Sequence, residues 1–180
     1  TLVGMLLLVA WPYQRRVAAE ITTPSAAALQ NLPVAAIFVC DTSLSLGYQY
    51  EGRSRLEVAR DIAMSQLSRL PAGSTAAVLD AAGDLPPVLS PDLTAVRNRL
   101  EALALSPRAA PLNEALRQAI RHHEDERRRT LGAEGGVDES RAQDKFVREV
   151  YLLTDLAKSA WRDDETQTLK SELAERDWLG

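Results

Sequence analysis

Four polar residues carry the chemistry that this sequence suggests. Asp41, Ser43 and Ser45 form a D-x-S-x-S pattern directly after the apolar run Val34–Cys40, and Asp155 directly follows Thr154 at the end of a later apolar run. If the chain stays extended through the pattern, the two-residue repeat of a strand places its acid and both serines on one side. Carboxylates and hydroxyls are hard oxygen ligands of the kind that Mg²⁺, Mn²⁺ or Ca²⁺ selects. The pattern therefore predicts a divalent-cation site with room for water and a further ligand.

Short apolar runs predict the strands that position these residues. Val34–Cys40 is a continuous apolar run, too short for a typical helix and suited to a strand buried on both faces. Residues 75–79 predict a second buried strand, and Val147–Leu153 predict a third central strand. Residues 85–89, interrupted by two prolines, predict an edge strand at best. Parallel sheets bind ligands at the carboxyl ends of their strands. Both acids of the predicted site end strands, so we expect them at one edge of a sheet.

Helix signals separate these strands. Ser54 and Glu57 form a capping box, and apolar residues then recur at helical spacing. Ser90, followed by a proline and an acid, predicts the N-cap of a second helix; Pro111 opens a third, and Asp163 is expected to cap a fourth. Strands that alternate with helices indicate an α/β fold. We expect a Rossmann-like, doubly wound and mostly parallel sheet flanked by helices.

The chain before the first strand divides into two parts. Residues 2–11 are apolar and leucine-rich, with aromatic residues at the end, as is typical of a membrane interface. The run is shorter than the roughly 20 residues that span a bilayer. We interpret residues 1–17 as the end of a membrane-spanning helix, with a signal-peptide remnant or a locally packed apolar helix as alternatives. Residues 18–33 are interpreted as a connector, and residues 34–180 as the α/β domain, expected to be truncated at its C-terminus.

Composition excludes several classes of protein and site. The 180 residues include 21 Lys and Arg against 25 Asp and Glu, a net charge of −4, which argues against nucleic acid as a partner. Cys40, the single cysteine, excludes an internal disulfide framework and a cysteine-based zinc site, and its apolar strand predicts a core position. His122 and His123 are helical neighbours that point about 100° apart, so we expect a solvated helix end there and no zinc site.

The D-x-S-x-S pattern, its strand and the later Thr-Asp pair resemble the metal-ion-dependent adhesion site of von Willebrand factor type A domains. The resemblance covers roughly Leu32–Gly180. It implies that Asp41, Ser43, Ser45 and Asp155 hold Mg²⁺ or another divalent cation, with the acids acting directly or through water. An Asp or Glu of a partner protein would complete the coordination. The resemblance thus implies a non-enzymatic module for protein–protein interaction.

One position departs from the family pattern. The family has a metal-binding threonine before a helix, in a T-x-L-x-x-A-L-like context, and this chain has Ala110 at that place. The substitution removes a ligand and an N-cap oxygen worth about 1 kcal/mol. The adhesion site is therefore incomplete, and a metal-free scaffold that retains a degenerate polar loop is the main alternative.

Together with the apolar N-terminal segment, the domain resembles the membrane-anchored, aerotolerance-type (Bat-like) proteins of bacteria. That resemblance implies a cell-envelope location, with contact to the membrane through the N-terminal segment and the soluble domain on the extracytoplasmic side. Arg15 and Arg16, which follow the apolar segment, favour the opposite orientation by the positive-inside rule.

An enzymatic alternative uses the same acid differently. Some phosphotransferases place a nucleophilic aspartate directly after the first strand of a similar sheet, beside Mg²⁺, which would give that role to Asp41. Their signature requires a second aspartate two residues later, where this chain has Ser43. The sequence also lacks a P-loop, a dinucleotide-binding glycine pattern and a nucleophile elbow. We therefore expect no enzymatic activity.

Overall fold

A three-stranded parallel sheet forms the centre of the domain. The computed structural model describes residues 32–108, 110–132 and 144–176. The strands are β1 (Val34–Cys40), β2 (Thr75–Asp80) and β3 (Val147–Leu153), in the order β2-β1-β3. In the parallel register, Cys40 lies opposite Asp80 on one side and Leu153 on the other. The α/β class and the central place of the first strand are confirmed.

β1 is buried along its whole length, which explains its unbroken apolar sequence. One face, which includes Phe38 and Cys40, packs against residues of the first two helices such as Ala63 and Leu100. The other face packs Ile37 and Val39 against alanines of the third helix. Helices therefore cover both faces of the sheet, as a Rossmann-like architecture requires.

Within the described ranges, four α-helices flank the sheet, and their bounds are α1 (Arg55–Leu67), α2 (Leu93–Glu101), α3 (Leu112–Gly132) and α4 (Asp163–Ala174). A two-residue turn precedes α1, between the short antiparallel strands Gln49–Tyr50 and Arg53–Ser54. Both turn residues, Glu51 and Gly52, have positive φ (52° and 79°), as expected for a tight hairpin turn. The predicted capping box is confirmed, because Ser54 Oγ accepts from Glu57 N and Glu57 Oε2 accepts from Ser54 N.

The predicted start of the second helix is wrong by two residues. Asp92 is the N-cap of α2, and its Oδ1 accepts from Thr94 N (3.0 Å) and Ala95 N (3.2 Å). Ser90 instead exchanges two backbone hydrogen bonds of 2.9 Å with Ala76 of β2. The backbone of Ser90 is thus held at the outer edge of the sheet, and its Oγ accepts from Asp92 N at 3.1 Å. The helix begins two residues later than predicted, with Asp92 as its cap.

The edge strand expected at residues 85–89 is also absent, since residues 81–89 of the described chain contain no strand. Its prolines remove the backbone donors that a ladder needs. This segment pairs with β2 only through the antiparallel bridge between Ala76 and Ser90, among the residues that the structure describes.

The fourth helix begins at Asp163, which is its first residue and not its cap as expected. The N-cap is Arg162, whose amide donates to Asn113 Oδ1 of α3 at 2.8 Å. No side chain caps the first turn of α4, and the contact with Asn113 instead fixes the residue that precedes the helix.

Residues 1–17, interpreted as an apolar helix, and most of the connector lie outside the described residues. Within the ranges that the structure describes, we find no helix with both the length and the apolar character needed to cross a bilayer.

Candidate functional site

Asp41 joins the ends of two neighbouring strands. Because β1 and β3 are parallel and adjacent, they end together, and Asp41 N donates to Leu153 O at 2.9 Å. The Asp41 carboxylate is buried, with 4% exposure for the residue. Its Oδ1 accepts from Ser43 N at 2.9 Å, and its Oδ2 accepts from Thr154 Oγ1 at 3.1 Å. One carboxylate thus fixes the loops that follow both strands.

The two serines of the pattern lie side by side above this acid. Their hydroxyl oxygens, Ser43 Oγ and Ser45 Oγ, are 3.0 Å apart. The chain does not stay extended as expected, because Leu44–Gly47 form a 3₁₀ turn in which Leu46 N donates to Ser43 O. Leu46 is buried, and its burial draws the chain inward at this point. The hydroxyls come together through this turn and not through strand alternation.

Thr42 points away from the serines, as the alternation predicts at that residue. It is 1% exposed, and its hydroxyl donates to Asp80 Oδ1 at 2.6 Å. Its carbonyl accepts from Ser106 N at 2.8 Å, which places the loop after α2 beside the serine loop. Thr42 therefore ties the candidate site to β2 and to the neighbouring loop.

Asp155 lies at the same edge of the sheet, as predicted. Its Oδ1 accepts from Ala157 N at 3.0 Å, and its Oδ2 accepts from Arg55 Nη1 at 2.8 Å. Burial favours a higher pKa for this carboxyl, but the Ala157 amide, the Ser45 hydroxyl and the Arg55 guanidinium together lower the pKa below its usual value. Asp155 is therefore ionised at neutral pH and interacts with the serine loop.

Arg55 adds a cation to the site. Its guanidinium carbon lies 4.9 Å from the centre of the Tyr48 ring, a cation–π distance, while one of its nitrogens binds Asp155. The Arg55 side chain is 48% exposed and the Asp155 side chain is 5% exposed. The structure thus places a solvated cation against a nearly buried carboxylate.

The ligand set can be tested against a divalent cation. Oxygens bound at about 2.1 Å and at right angles around Mg²⁺ are about 3.0 Å apart. The 3.0 Å between Ser43 Oγ and Ser45 Oγ matches that spacing, and the Ser45 hydroxyl interacts with the Asp155 carboxylate. In the described part of the chain, no three His, Cys, Asp or Glu side chains are grouped to hold a metal. An ion here would therefore depend on the hydroxyls as well as on Asp41 and Asp155, and Ala110 contributes no side-chain oxygen.

Two other polar positions, Cys40 and His123, have structural explanations. Cys40 is buried, and burial raises the pKa of its thiol to about 12, so it is a core residue as predicted. The solvated helix end expected at the histidine pair is wrong for His123, which is 0% exposed and lies 3.2 Å from Glu149 O through Nε2. The helix runs on past this residue and packs it against β3, so its second half is not simply solvated.

Sequence reasoning missed three groups at the site. The Thr-Asp pair is visible in the sequence, but the hydrogen bond from the Thr154 hydroxyl to Asp41 was not predicted. Thr42 lay between two assigned residues, and Asp80, its partner, ends β2 just as Asp41 follows β1. Arg55 is separated from Asp155 by 100 residues, and no local pattern links them.

Comparisons with known proteins give a likeness among solved structures alone. No family model matches the chain, and no curated protein matches it. Among solved structures, the chain is similar to the crystal structure of the conserved hypothetical protein BatB from Bacteroides thetaiotaomicron, with a TM-score of 0.45 and 21% sequence identity. The match covers 66% of this chain and 52% of that chain, so this chain spans about half the length of that protein's chain.

Proposed function

We propose that the domain is a non-enzymatic protein–protein interaction module of the von Willebrand factor A type, with an incomplete metal-ion-dependent adhesion site. The convergence of Asp41, Ser43, Ser45 and Asp155 at one edge of the sheet carries this proposal. Ligands bind at this edge in parallel sheets.

Charge explains how such a site would hold a partner. Asp41, Asp155 and Arg55 sum to a formal charge of −1, which attracts a cation. A bound divalent ion changes that sum to +1 and, with few protein ligands, keeps coordination positions open. A Glu or Asp side chain of a partner protein then completes the coordination.

Apolar side chains around the site support a protein partner. Leu44, Tyr48, Tyr50 and Leu156 are 59–66% exposed. We call these four residues the apolar rim. They come from the loops that carry the serines and Asp155, and from the hairpin before Arg55. Exposed apolar groups beside a polar centre are typical of interaction surfaces.

Titration of the metal-free protein with Mg²⁺ and Mn²⁺ tests the ion. We expect binding heat and a raised melting temperature for the wild type, and loss of both for Asp41→Asn. The control is Asp125→Asn, because Asp125 is exposed and pairs with Arg128 in the second half of α3. Ala110→Thr should strengthen ion binding by restoring the missing oxygen. Equal heats for Asp41→Asn and wild type, or no heat in either, would contradict the ion-dependent function.

A metal-free scaffold is the second candidate, and the Arg55–Asp155 ion pair favours it. In that case the guanidinium neutralises Asp155 permanently and the loop serves only as a polar support.

A phosphotransferase that uses Asp41 is a weaker alternative, because Asp41 is buried and bound to Ser43 N and Thr154. A phosphatase screen with Mg²⁺ tests it, and turnover abolished by Asp41→Asn would revive it.

We further propose that residues 1–17 tether the domain to a bacterial envelope membrane, with the domain on the extracytoplasmic side. The apolar run of residues 2–11 supports the tether. Fractionation of cells that express the full chain tests this location. Recovery of the chain in the soluble fraction would contradict it.

A further inference from the structure

The contacts of Arg55 differ from those of an ordinary surface arginine. Its guanidinium binds Asp155 Oδ2 at 2.8 Å and lies over the Tyr48 ring, while its backbone amide donates to Tyr48 O at 3.1 Å. As the first residue of α1, directly after the hairpin, Arg55 has a fixed backbone. The ring and the hairpin therefore hold the cation in one place, against a carboxylate that is 5% exposed.

That carboxylate is the one that a bound ion would also need. Both Asp155 oxygens already accept hydrogen bonds, one from Ala157 N and one from Arg55. Ser45, whose hydroxyl interacts with Asp155, lies 3.0 Å from Ser43 through the two Oγ atoms. An ion on these hydroxyls would thus be close to the guanidinium. The two cations repel each other and compete for the same negative charge.

We propose that Arg55 is a built-in competitor of the divalent ion, which keeps the site closed until the ion concentration is high enough to displace the guanidinium from Asp155. This inference rests on the proposed ion-dependent function and adds its regulation. Displacement leaves the guanidinium on the exposed ring of Tyr48, at the apolar rim, where it can meet a partner's carboxylate. Arg55 is then a positioning residue that sets the affinity for the ion.

Calorimetric titration with Mg²⁺ alone tests the competition. We compare the wild type with Arg55→Gln, which removes the charge, and Arg55→Lys, which keeps it. The matched control is Arg53→Gln, because Arg53 is similarly exposed (53%) and pairs with Asp61. A neighbouring charge shifts carboxylate affinity for a proton by about 1–3 powers of ten. By analogy, we expect Arg55→Gln to lower the Kd for Mg²⁺ at least about tenfold. We expect Arg55→Lys to bind more weakly than Arg55→Gln, and Arg53→Gln to match the wild type.

A second variant tests whether the Tyr48 ring helps to hold the Arg55 guanidinium in place, without removing the guanidinium itself. Tyr48→Leu leaves the Arg55–Asp155 pair in place and removes the ring, so it should lower the Kd by less than Arg55→Gln does. The rise in melting temperature with added Mg²⁺ gives an independent readout, and it should rank the variants in the same order.

The outcomes separate this inference from the function on which it rests. Mg²⁺ binding by the wild type with a Kd that Arg55→Gln leaves unchanged overturns the competition and leaves the ion-dependent function standing. An equal gain in affinity for Arg53→Gln also overturns it, since the effect would then follow from overall charge. Binding by Arg55→Gln alone supports the competition and overturns ion binding by the wild type. Absence of binding in every variant overturns both.

Discussion

Asp41 and Thr42 show how two adjacent residues divide the work at the end of a strand. Asp41 turns toward the serine loop and binds Ser43 N and Thr154, whereas Thr42 turns toward β2 and binds Asp80. Strand alternation separates them. The Asp41 carboxylate, which would bind an ion, is thus fixed by the loops that follow β1 and β3. Thr42 anchors the same stretch of backbone to the end of β2.

At the residue scale we predict that Thr42→Val destabilises the domain. The variant keeps the shape of the side chain but leaves Asp80 without its 2.6 Å hydrogen bond in a part-buried setting. Loss of such a bond costs about 1–3 kcal/mol of the free energy of unfolding. Urea unfolding should show a lower midpoint with an unchanged slope. Thr94→Val on the exposed face of α2 is the control, and equal midpoints for the two variants would refute the anchoring role.

The position of a site residue could be predicted where it depends on neighbouring residues in the sequence. The acids and serines of the site share one edge because each follows a strand or sits in the loop after one, which the sequence displays directly. The ion pair of Arg55 and Asp155 was not predictable, since it joins residues 100 positions apart. The burial of His123 was missed because its surroundings along the chain are charged, whereas its surroundings in space are those of β3.

At the element scale, strands were easier to predict than helix starts. β1 and β3 have the predicted bounds. β1 is a continuous apolar run with a polar end, as is typical of a buried parallel strand. β3, predicted as a central strand, is an outer strand of the described sheet and is only partly buried. The starts of α2 and α4 differ because several oxygens compete for each cap. Asp92 replaces Ser90, whose backbone is paired with the sheet, and Asn113 from α3 accepts from the amide of Arg162, the residue that precedes α4.

The attachment of α4 depends on this last contact. Leu169 is the only buried residue of α4, and Asn113 is 0% exposed between the two helices. Besides accepting from Arg162 N, Asn113 donates through Nδ2 to Arg162 O (3.4 Å) and Thr166 Oγ1 (3.3 Å). Arg117 and Arg176 add ion pairs between the same surfaces. α4 is thus held mainly by polar contacts.

We therefore predict that Asn113→Ala loosens α4 and leaves the sheet intact. The variant leaves Arg162 N without a partner, a penalty of about 1–3 kcal/mol, which weakens the protection of α4 amides against hydrogen exchange. Amide exchange in α4 should accelerate, while exchange in β1 stays slow. Asn98→Ala, on the exposed surface of α2, should change neither. Equal protection of α4 in Asn113→Ala and the wild type would show that the ion pairs and Leu169 suffice.

At the scale of the whole molecule, the layers separate two kinds of polar group. The carboxyl edge of the sheet carries ionised groups that are partly open to solvent, such as Arg55. Behind β3, by contrast, His123 and Arg148 are almost fully buried, and Arg148 is paired with Asp144 at 2.6 Å. Acid should destabilise the buried region behind β3 by weakening the packing of α3 on the sheet, since His123 lies between α3 and β3.

His123 makes the stability of the domain dependent on pH. Burial lowers its pKa from 6.5 to about 4; the Glu149 carbonyl and Asp144 act in the opposite direction, while Arg148 and His122 lower the pKa further. In the unfolded chain the imidazole binds a proton below about pH 6.5, and the folded state resists the proton until about pH 4. The unfolded state thus binds more protons in this window, and stability falls as the pH falls.

We predict that the free energy of unfolding decreases by up to about 3 kcal/mol between pH 7 and pH 4 through this group. His123→Gln should be less stable at pH 7 but should show a shallower decline with acid, because its side chain does not titrate. The protein contains 2 histidines, so the imidazole region of its NMR spectrum assigns each midpoint directly, with His122 as the internal comparison. A His123 midpoint near 6.5, or equal acid slopes for wild type and His123→Gln, would show that α3 leaves room for the charged ring against β3.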